Sequence, residues 1–224
     1  MKKVDFDRYA RDYNELLREQ TGFFSGDESY FARYKVAIAG DLVKKAPARV
    51  LELGCGTGRN IAFLRERFPD ATIMGSDVSS KSLDVARADN PGVHFWKEGS
   101  ADGEQAGFDL VFVAGVFHHV PPSERDALAS RIAALLNPAG RAVVFEHNPY
   151  NPVTRRIVSQ CPYDEGVILL GARELRARLE QGGLRADRHG YALFFPPRWG
   201  LARVERMLGW LPLGGQYWIV AARR

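Results

Sequence analysis

The sequence predicts a doubly wound α/β sheet, and three observations carry that prediction. Short apolar runs at 49–53, 72–76, 93–96, 108–114 and 141–146 alternate with segments of helical periodicity. The run at 108–114 is almost continuously apolar, as suits a strand covered on both faces. A glycine-rich turn at 54–58 leads the first strand straight into a helix. Strands separated by helical crossovers pair in parallel, with a fixed hand of connection.

Each element has its own local reason. In 5–20, Phe6, Tyr9, Tyr13, Leu16 and Leu17 recur at spacings of three and four, and Asp5 is placed to cap a helix. A second helix is expected over 28–45, with Tyr30, Tyr34, Ile38 and Leu42 on one face and Pro47 ending it. Helices follow at 59–68, stopped by Pro69, at 80–89, opened by a serine cap, and at 122–136, with proline in its first turn. Beyond the fifth strand, 171–181 reads as a helix ended by Gly182 and Gly183. Residues 184–195 and 216–222 are strand-like. Between them, 196–213 predicts a short amphipathic helix with Leu201, Val204, Met207, Leu208 and Leu211 as its apolar face.

Composition bounds the function. With 224 residues, 46% hydrophobic and 26% charged, the chain has an ordinary globular balance and length for a single domain. No stretch is long and apolar enough for a membrane helix, and residues 1–23 lack the apolar core of a signal peptide, so the expected compartment is cytoplasmic. Cys55 and Cys161 form no CxxC, so neither a disulfide framework nor a metal site is expected. The net charge of +4 reads first as a solvated basic surface and second as attraction for an anionic partner.

The strongest local signal is Glu52-Leu-Gly54-Cys55-Gly56-Thr57-Gly58. Glycines there permit positive φ and close backbone approach to a ligand, and the following helix N-terminus suits an anionic group. Asp77 ends the second strand 19 residues after Gly58, where a carboxylate accepts hydrogen bonds from ribose hydroxyls. Its bland reading is a helix cap. A dinucleotide fingerprint needs a small residue at the sixth position, but Arg59 stands there.

Residues 48–146 resemble the core of the class I methyltransferases that use S-adenosylmethionine (SAM). Glu52–Gly58 is similar to the first motif of that family and Gly75-Ser76-Asp77 to its second; 108–112 resembles its fourth strand and 136–141 the turn into its fifth. The resemblance implies a Rossmann-like seven-stranded sheet, mostly parallel with an antiparallel last strand. It divides the domain into an N-terminal helical cap (1–46), the SAM-binding core (48–146) and a substrate-side part (147–224) with its helical insertion at about 196–213. It further implies that Glu52 and the backbone of Gly54, Cys55 and Gly56 meet the methionine end of SAM, that Asp77 holds the ribose, and that Val78 lies against adenine. Ser100 and Ala101 stand where the family often has an acid for the adenine amino group; Asp102 follows. Ala114 and Val116 would line the methionine side, with Tyr9 or Tyr13 covering the pocket.

Ligands of open α/β sheets bind beyond the carboxyl ends of the strands, so residues after strands four and five are the catalytic candidates. His118 and His119 follow strand four, and His147, Asn148, Tyr150 and Asn151 follow strand five. An imidazole titrating near neutrality suits proton removal from an acceptor hydroxyl or amine; the bland reading is structural. His147 and Asn151 are expected to orient the acceptor, with Asn148, Tyr150, Tyr163 and Tyr191 near it; the alternative for the asparagine cluster is a turn with an Asx cap. The expected activity is methyl transfer to an O or N atom of a small-molecule metabolite.

Three rival readings remain. Nucleic-acid methylation is disfavoured, because 114–122 lacks the Asp/Asn-Pro-Pro-Tyr pattern of base-amine enzymes. A SAM-consuming cyclase resembling azetidine-2-carboxylate synthases would use the same bound cofactor. The third is a SAM-binding regulator without turnover. The arginine-rich segment at 196–213 could also touch a membrane surface, though a lid over the substrate is preferred.

Overall fold

The computed structural model describes residues 7, 22, 24–27, 29–100 and 105–224. Among these, seven strands form one sheet in the order β3-β2-β1-β4-β5-β7-β6. The strands are β1 (Arg49–Leu53), β2 (Thr72–Asp77), β3 (His94–Lys97), β4 (Phe108–Ala114), β5 (Leu136–His147), β6 (Leu184–Ala192) and β7 (Gln216–Arg223). The first five pair in parallel, and β7 inserts antiparallel between β5 and β6. The expected seven-stranded Rossmann-like architecture, with its antiparallel last strand, is therefore present.

The helices are α1 (Tyr30–Leu42), α2 (Ile61–Arg67), α3 (Ser80–Asp89), α4 (Arg125–Leu135), α5 (Pro152–Gln160), α6 (Ala172–Gln181) and α7 (Ala202–Met207). They cover both faces of the sheet, and strand alternation divides the core accordingly. Val111 and Val113 of β4 pack with Ile132, Leu175 and Tyr217 on one side, whereas Leu110 and Phe112 pack with Val36, Ile61, Leu64 and Val220 on the other. Complete burial of such a side chain stabilises by about 1.5–3 kcal/mol.

Several expectations need correction. The turn expected at 137–140 lies inside β5, where the register jumps from Phe108↔Leu136 to Leu110↔Arg141. This irregularity absorbs Pro138 and Gly140 without ending the strand. Helix α5 was not anticipated, and the expected strand at 184–195 ends at Ala192. The insertion at 196–213 is a 3₁₀ turn at Pro197–Trp199 followed by the short α7. Of its expected apolar face, Val204 and Met207 are exposed while Leu201, Leu208 and Leu211 are half-buried, and the buried residue of α7 is Glu205. The reason is polar. Glu205 Oε1 accepts from Tyr34 Oη, from Leu193 N (2.7 Å) and from Phe194 N (3.4 Å), satisfying backbone just past β6 where Leu193 takes φ 63°.

The helix expected over 5–20, with Tyr9 and Tyr13, lies outside the described residues, as do Ala101 and Asp102. Asp7 is described; its Oδ1 accepts from Ser79 Oγ (2.6 Å) and Lys81 N (3.2 Å) at the start of α3. Among the described residues no helix is long and apolar enough to cross a membrane.

Candidate active site

The glycine turn is built by positive φ at Gly54 (72°), Gly56 (52°) and Gly58 (76°). Gly54 also has no room for a side chain, since an added Cβ would come within 2.5 Å of Val116 Cγ2. Val116 thus reaches the loop as expected, and the fit dictates both residues. Above Gly56 the space is open: an added Cβ would meet nothing within 4 Å.

The loop is tied to β2 by its own amides. Gly54 N and Cys55 N both donate to Ser76 O, at 2.8 and 2.9 Å. Gly56 N donates to Asp77 Oδ2 at 2.8 Å, while Ser79 N donates to Asp77 Oδ1 at 2.8 Å. The amides of residues 54–56 are thus engaged within the chain. Asp77 keeps further lone pairs for ribose hydroxyls. Burial pushes its carboxyl up from the usual range, against the amides of Ser79, Gly56 and Val78.

Glu52 is buried beneath the loop. Asn60 Nδ2 donates to its Oε1, whereas Oε2 has no hydrogen-bond partner among the described residues. Thr57 Oγ1 and Ser76 Oγ are likewise buried without one. Burial raises the Glu52 carboxyl to about 8; Asn60 and Lys35 oppose the rise and Asp77 adds to it. Lys35 of α1 is lowered to about 8 by burial and Arg59, against the attraction of Glu52 and Glu146. Orphaned acceptors below a glycine loop, open space above it and a carboxylate beside it fit the ammonium and ribose hydroxyls of SAM.

Other residues expected at the cofactor lie at or just after the ends of β2, β3 and β4. Val78 is exposed next to Asp77, and Ala114 is half-buried at the end of β4. Ser100 Oγ donates to Lys97 O at 2.7 Å, which closes its own turn after β3. Cys55 Sγ is buried against Gly75 and Phe95, and burial drives its thiol well up.

Beyond β4 and β5 the structure assembles a second polar cluster. His118 and His119 belong to a 3₁₀ turn at Phe117–His119, and Asp164 to another at Pro162–Asp164. Glu146, fully buried on β5, organises them: Oε1 accepts from Phe117 N (2.7 Å), and Oε2 from His118 Nδ1 (2.6 Å) and His147 N (3.3 Å). His118 Nε2 lies 3.4 Å from Asp164 Oδ1, and His119 Nε2 lies 3.5 Å from the same atom. The His118 ring centre is 4.0 Å from that of His119 and 5.0 Å from that of His147.

His118, one of the expected general-base candidates, is only 2% exposed and is held by Glu146. Burial opposes its charge, but Glu146 and Asp164 outweigh that and raise it to about 10. His119 falls to about 3 and His147 to about 4, through burial first and the His118 charge second. The two carboxylates thus favour the charged form of His118, whereas burial and the His118 charge favour the neutral forms of His119 and His147. Sequence reasoning missed Glu146 and Asp164, because neither lies beside a histidine in a recognised motif. Cys161, assigned no chemistry, has its thiol hydrogen-bonded to Asp164 and raised to about 11, chiefly by burial.

The asparagines expected to meet substrate serve the chain instead. Asn148 is 1% exposed, and its Nδ2 donates to Pro212 O (3.1 Å) and Gly214 O (2.8 Å) while Oδ1 accepts from Tyr150 N (3.1 Å). Asn151 caps α5 by accepting from Thr154 N (2.9 Å) and donates to Leu213 O (2.8 Å). The Asx cap is thus the observed arrangement, and both residues fasten β5 to the segment before β7. Tyr163 is buried, Tyr150 is 70% exposed beside Gly171, and half-buried Tyr191 lies 6.2 Å from Tyr217, centre to centre.

Residues 50–140 match the methyltransferase domain family. The chain is 34% identical over 142 residues to a trans-aconitate 2-methyltransferase of Methylobacterium nodulans, covering 59% of this chain and 54% of that protein. It is 31% identical over 157 residues to the same-named protein of Azoarcus sp., covering 66% and 61%. The chain therefore spans little more than half the length of these curated relatives. In fold it is similar to a SAM-dependent methyltransferase of Archaeoglobus fulgidus (TM-score 0.68, 17% identity, 95% and 100% coverage). It is also similar to a TehB-like SAM-dependent methyltransferase of Corynebacterium glutamicum (TM-score 0.66, 19% identity, 97% and 99% coverage). The matched segment contains the strand–glycine-loop–acid unit, so the 50–140 core of this chain belongs to the methyltransferase domain family, and its fold is that of the SAM-dependent methyltransferases to which it is similar.

Proposed function

We propose that this protein transfers the methyl group of SAM to an O or N atom of a small-molecule metabolite. The carrying observation is the acid pair that brackets the glycine loop: Asp77 bonded to Gly56 N, and Glu52 with a buried, unpartnered oxygen beneath open space. When bound, SAM supplies an electrophilic methyl group on a sulfonium whose thioether leaving group is neutral. The residues need only bind, orient and exclude water. Asp77 accepts from the ribose hydroxyls, Glu52 faces the cationic methionine end, and Val78 offers an apolar surface to the adenine. Val116, seated against Gly54, sets the floor between this half and the acceptor side. His147 and Tyr191, both half-buried, flank that side and orient the acceptor. The curated relatives are named for a small polycarboxylate, which supports a small acid with an oxygen acceptor.

The test is mass spectrometry of purified protein incubated with SAM, with and without a small-molecule extract and with trans-aconitate. S-adenosylhomocysteine that forms only when an acceptor is added supports the proposal. Methylthioadenosine formed from SAM alone, above the enzyme-free background, overturns it in favour of intramolecular cyclisation.

A further inference from the structure

We propose that His118, His147 and Asp164 form a binding site for a divalent transition-metal ion such as Zn²⁺, at the carboxyl ends of β4 and β5. One ligand atom from each of the three residues lies within 4.8 Å of the others. They come from a 3₁₀ turn, a strand end and a second 3₁₀ turn, so only the tertiary fold unites them.

The spacing between His118 and Asp164 supports an intervening ion. An N–H···O hydrogen bond is about 2.7–3.2 Å long. Here Nε2 and Oδ1 are 3.4 Å apart. Nitrogen and oxygen ligands about 2.0–2.2 Å from a tetrahedral ion stand about 3.3–3.6 Å from each other. The observed separation is that of a tetrahedral edge. Closing the third ligand onto the same ion requires His147 to move by no more than about 1.5 Å, the excess of the widest spacing over that edge.

Glu146 supplies the outer carboxylate that metal-bound histidines commonly have. It holds His118 Nδ1 at 2.6 Å, which fixes the ring with Nε2 towards Asp164. By also accepting from Phe117 N and His147 N, it sets the backbones that carry two of the three ligands. Two imidazoles and one carboxylate select a transition ion over Mg²⁺ or Ca²⁺, which take oxygen ligands. Three protein ligands leave coordination room for water or an oxygen donor. His119 Nε2 at 3.5 Å and the Cys161 thiol both sit against Asp164, so they flank the ion without completing the set.

The inference goes beyond the methyl-transfer reading and does not depend on it, because ion binding is read directly. The full-length protein is stripped with chelator, then titrated with Zn²⁺ by calorimetry and with Co²⁺ by visible absorption. The expected result is one ion per chain at sub-micromolar affinity, with the intense visible bands of four- or five-coordinate Co²⁺. His147→Ala and Asp164→Asn are each expected to weaken binding at least about 100-fold, and Glu146→Gln by about 10–100-fold with the same stoichiometry. Wild-type protein that takes up neither Zn²⁺ nor Co²⁺ stoichiometrically overturns the proposal, whatever the folding of the variants. Uptake that persists unchanged in folded His147→Ala and Asp164→Asn proteins overturns it as well.

Discussion

The two halves of the sheet use buried polar groups in opposite ways. In the cofactor half, the glycine-loop amides at the end of β1 bond to the end of the neighbouring strand β2: Gly54 N and Cys55 N donate to Ser76 O and Gly56 N to Asp77, 21 or 22 residues on. In the acceptor half, several buried side chains each make at least one bond to a residue more than 40 positions away. Arg125 binds Ile168 and Glu174, Asn148 binds Pro212 and Gly214, and Glu205 binds Tyr34 and Leu193. The first half is a local device that any chain with the motif can carry. The second is a set of long-range ties, and those ties hold the walls of the acceptor side.

The sharpest way to break the comparison is to cut the tie made by Arg125. Arg125 is fully buried at the start of α4; Nε donates to Val120 O (3.1 Å), Nη2 to Ile168 O and Nη1 to Glu174 Oε1 (3.1 Å). Arg125→Ala strands the carbonyls of Val120 and Ile168 and removes the hold of α4 on the 165–170 segment, which keeps its own bond from Ile168 N to His118 O (3.4 Å). The expected loss is about 3–5 kcal/mol, read by denaturant unfolding. SAM affinity of the folded fraction should stay within about twofold, since the variant touches only the acceptor half. An equally large loss of SAM affinity would mean that the halves are not separable.

In the cofactor half, the corresponding change should raise stability. Glu52 has a folded pKa of about 8, above its usual 4.5, so the native state holds an extra proton between these values. Stability contributed by the protonated form is complete below pH 4.5 and is lost as the pH rises through 8. Glu52→Gln abolishes that fall. The variant should match wild type at pH 4.5 and exceed it by a few kcal/mol at pH 8.5, in paired thermal unfolding curves. Its affinity for SAM should drop at least about tenfold, because Gln cannot ionise to pair with the ammonium of SAM. A variant no more stable at high pH, or binding SAM as before, would remove the case that Glu52 is kept for its ligand.

The same contrast decides what could be read from the sequence. The loop at 54–58 and Asp77 were legible because strand, turn, helix and acid follow one another, and Val116 was legible through the strand-four register. The His118–Glu146–Asp164 cluster was not, because its members are separated by 28 and 18 residues and no spacing rule links a β4 end to a 3₁₀ turn after α5. Glu205 was misplaced for a related reason. Hydrophobic periodicity assigns Val204 and Met207 to the buried face, whereas the need of Leu193 N and Phe194 N for an acceptor turns Glu205 inward. Helix α5 did announce itself: Asn151 followed by Pro152 is a start signal, but it stands in a segment dense with turn residues and reads equally as a loop.

That start signal gives the smallest prediction and the finest discrimination between a chain-fastening and a substrate-binding asparagine. Asn151 accepts from Thr154 N and donates to Leu213 O, so its amide is engaged at both ends. Asn151→Ala should cost about 1 kcal/mol for the lost cap, with part of the tie to the β7 approach lost as well. Asn151→Asp keeps the acceptor for Thr154 N and removes the donor to Leu213 O, so it separates the two contributions. If the residue only fastens the chain, Asp should recover most of the cap stability, and SAM affinity should match wild type in both variants. If instead Asn151→Ala leaves stability unchanged while KM for the acceptor rises, the residue meets substrate and the acceptor half is more open at this point than the Leu213 contact implies.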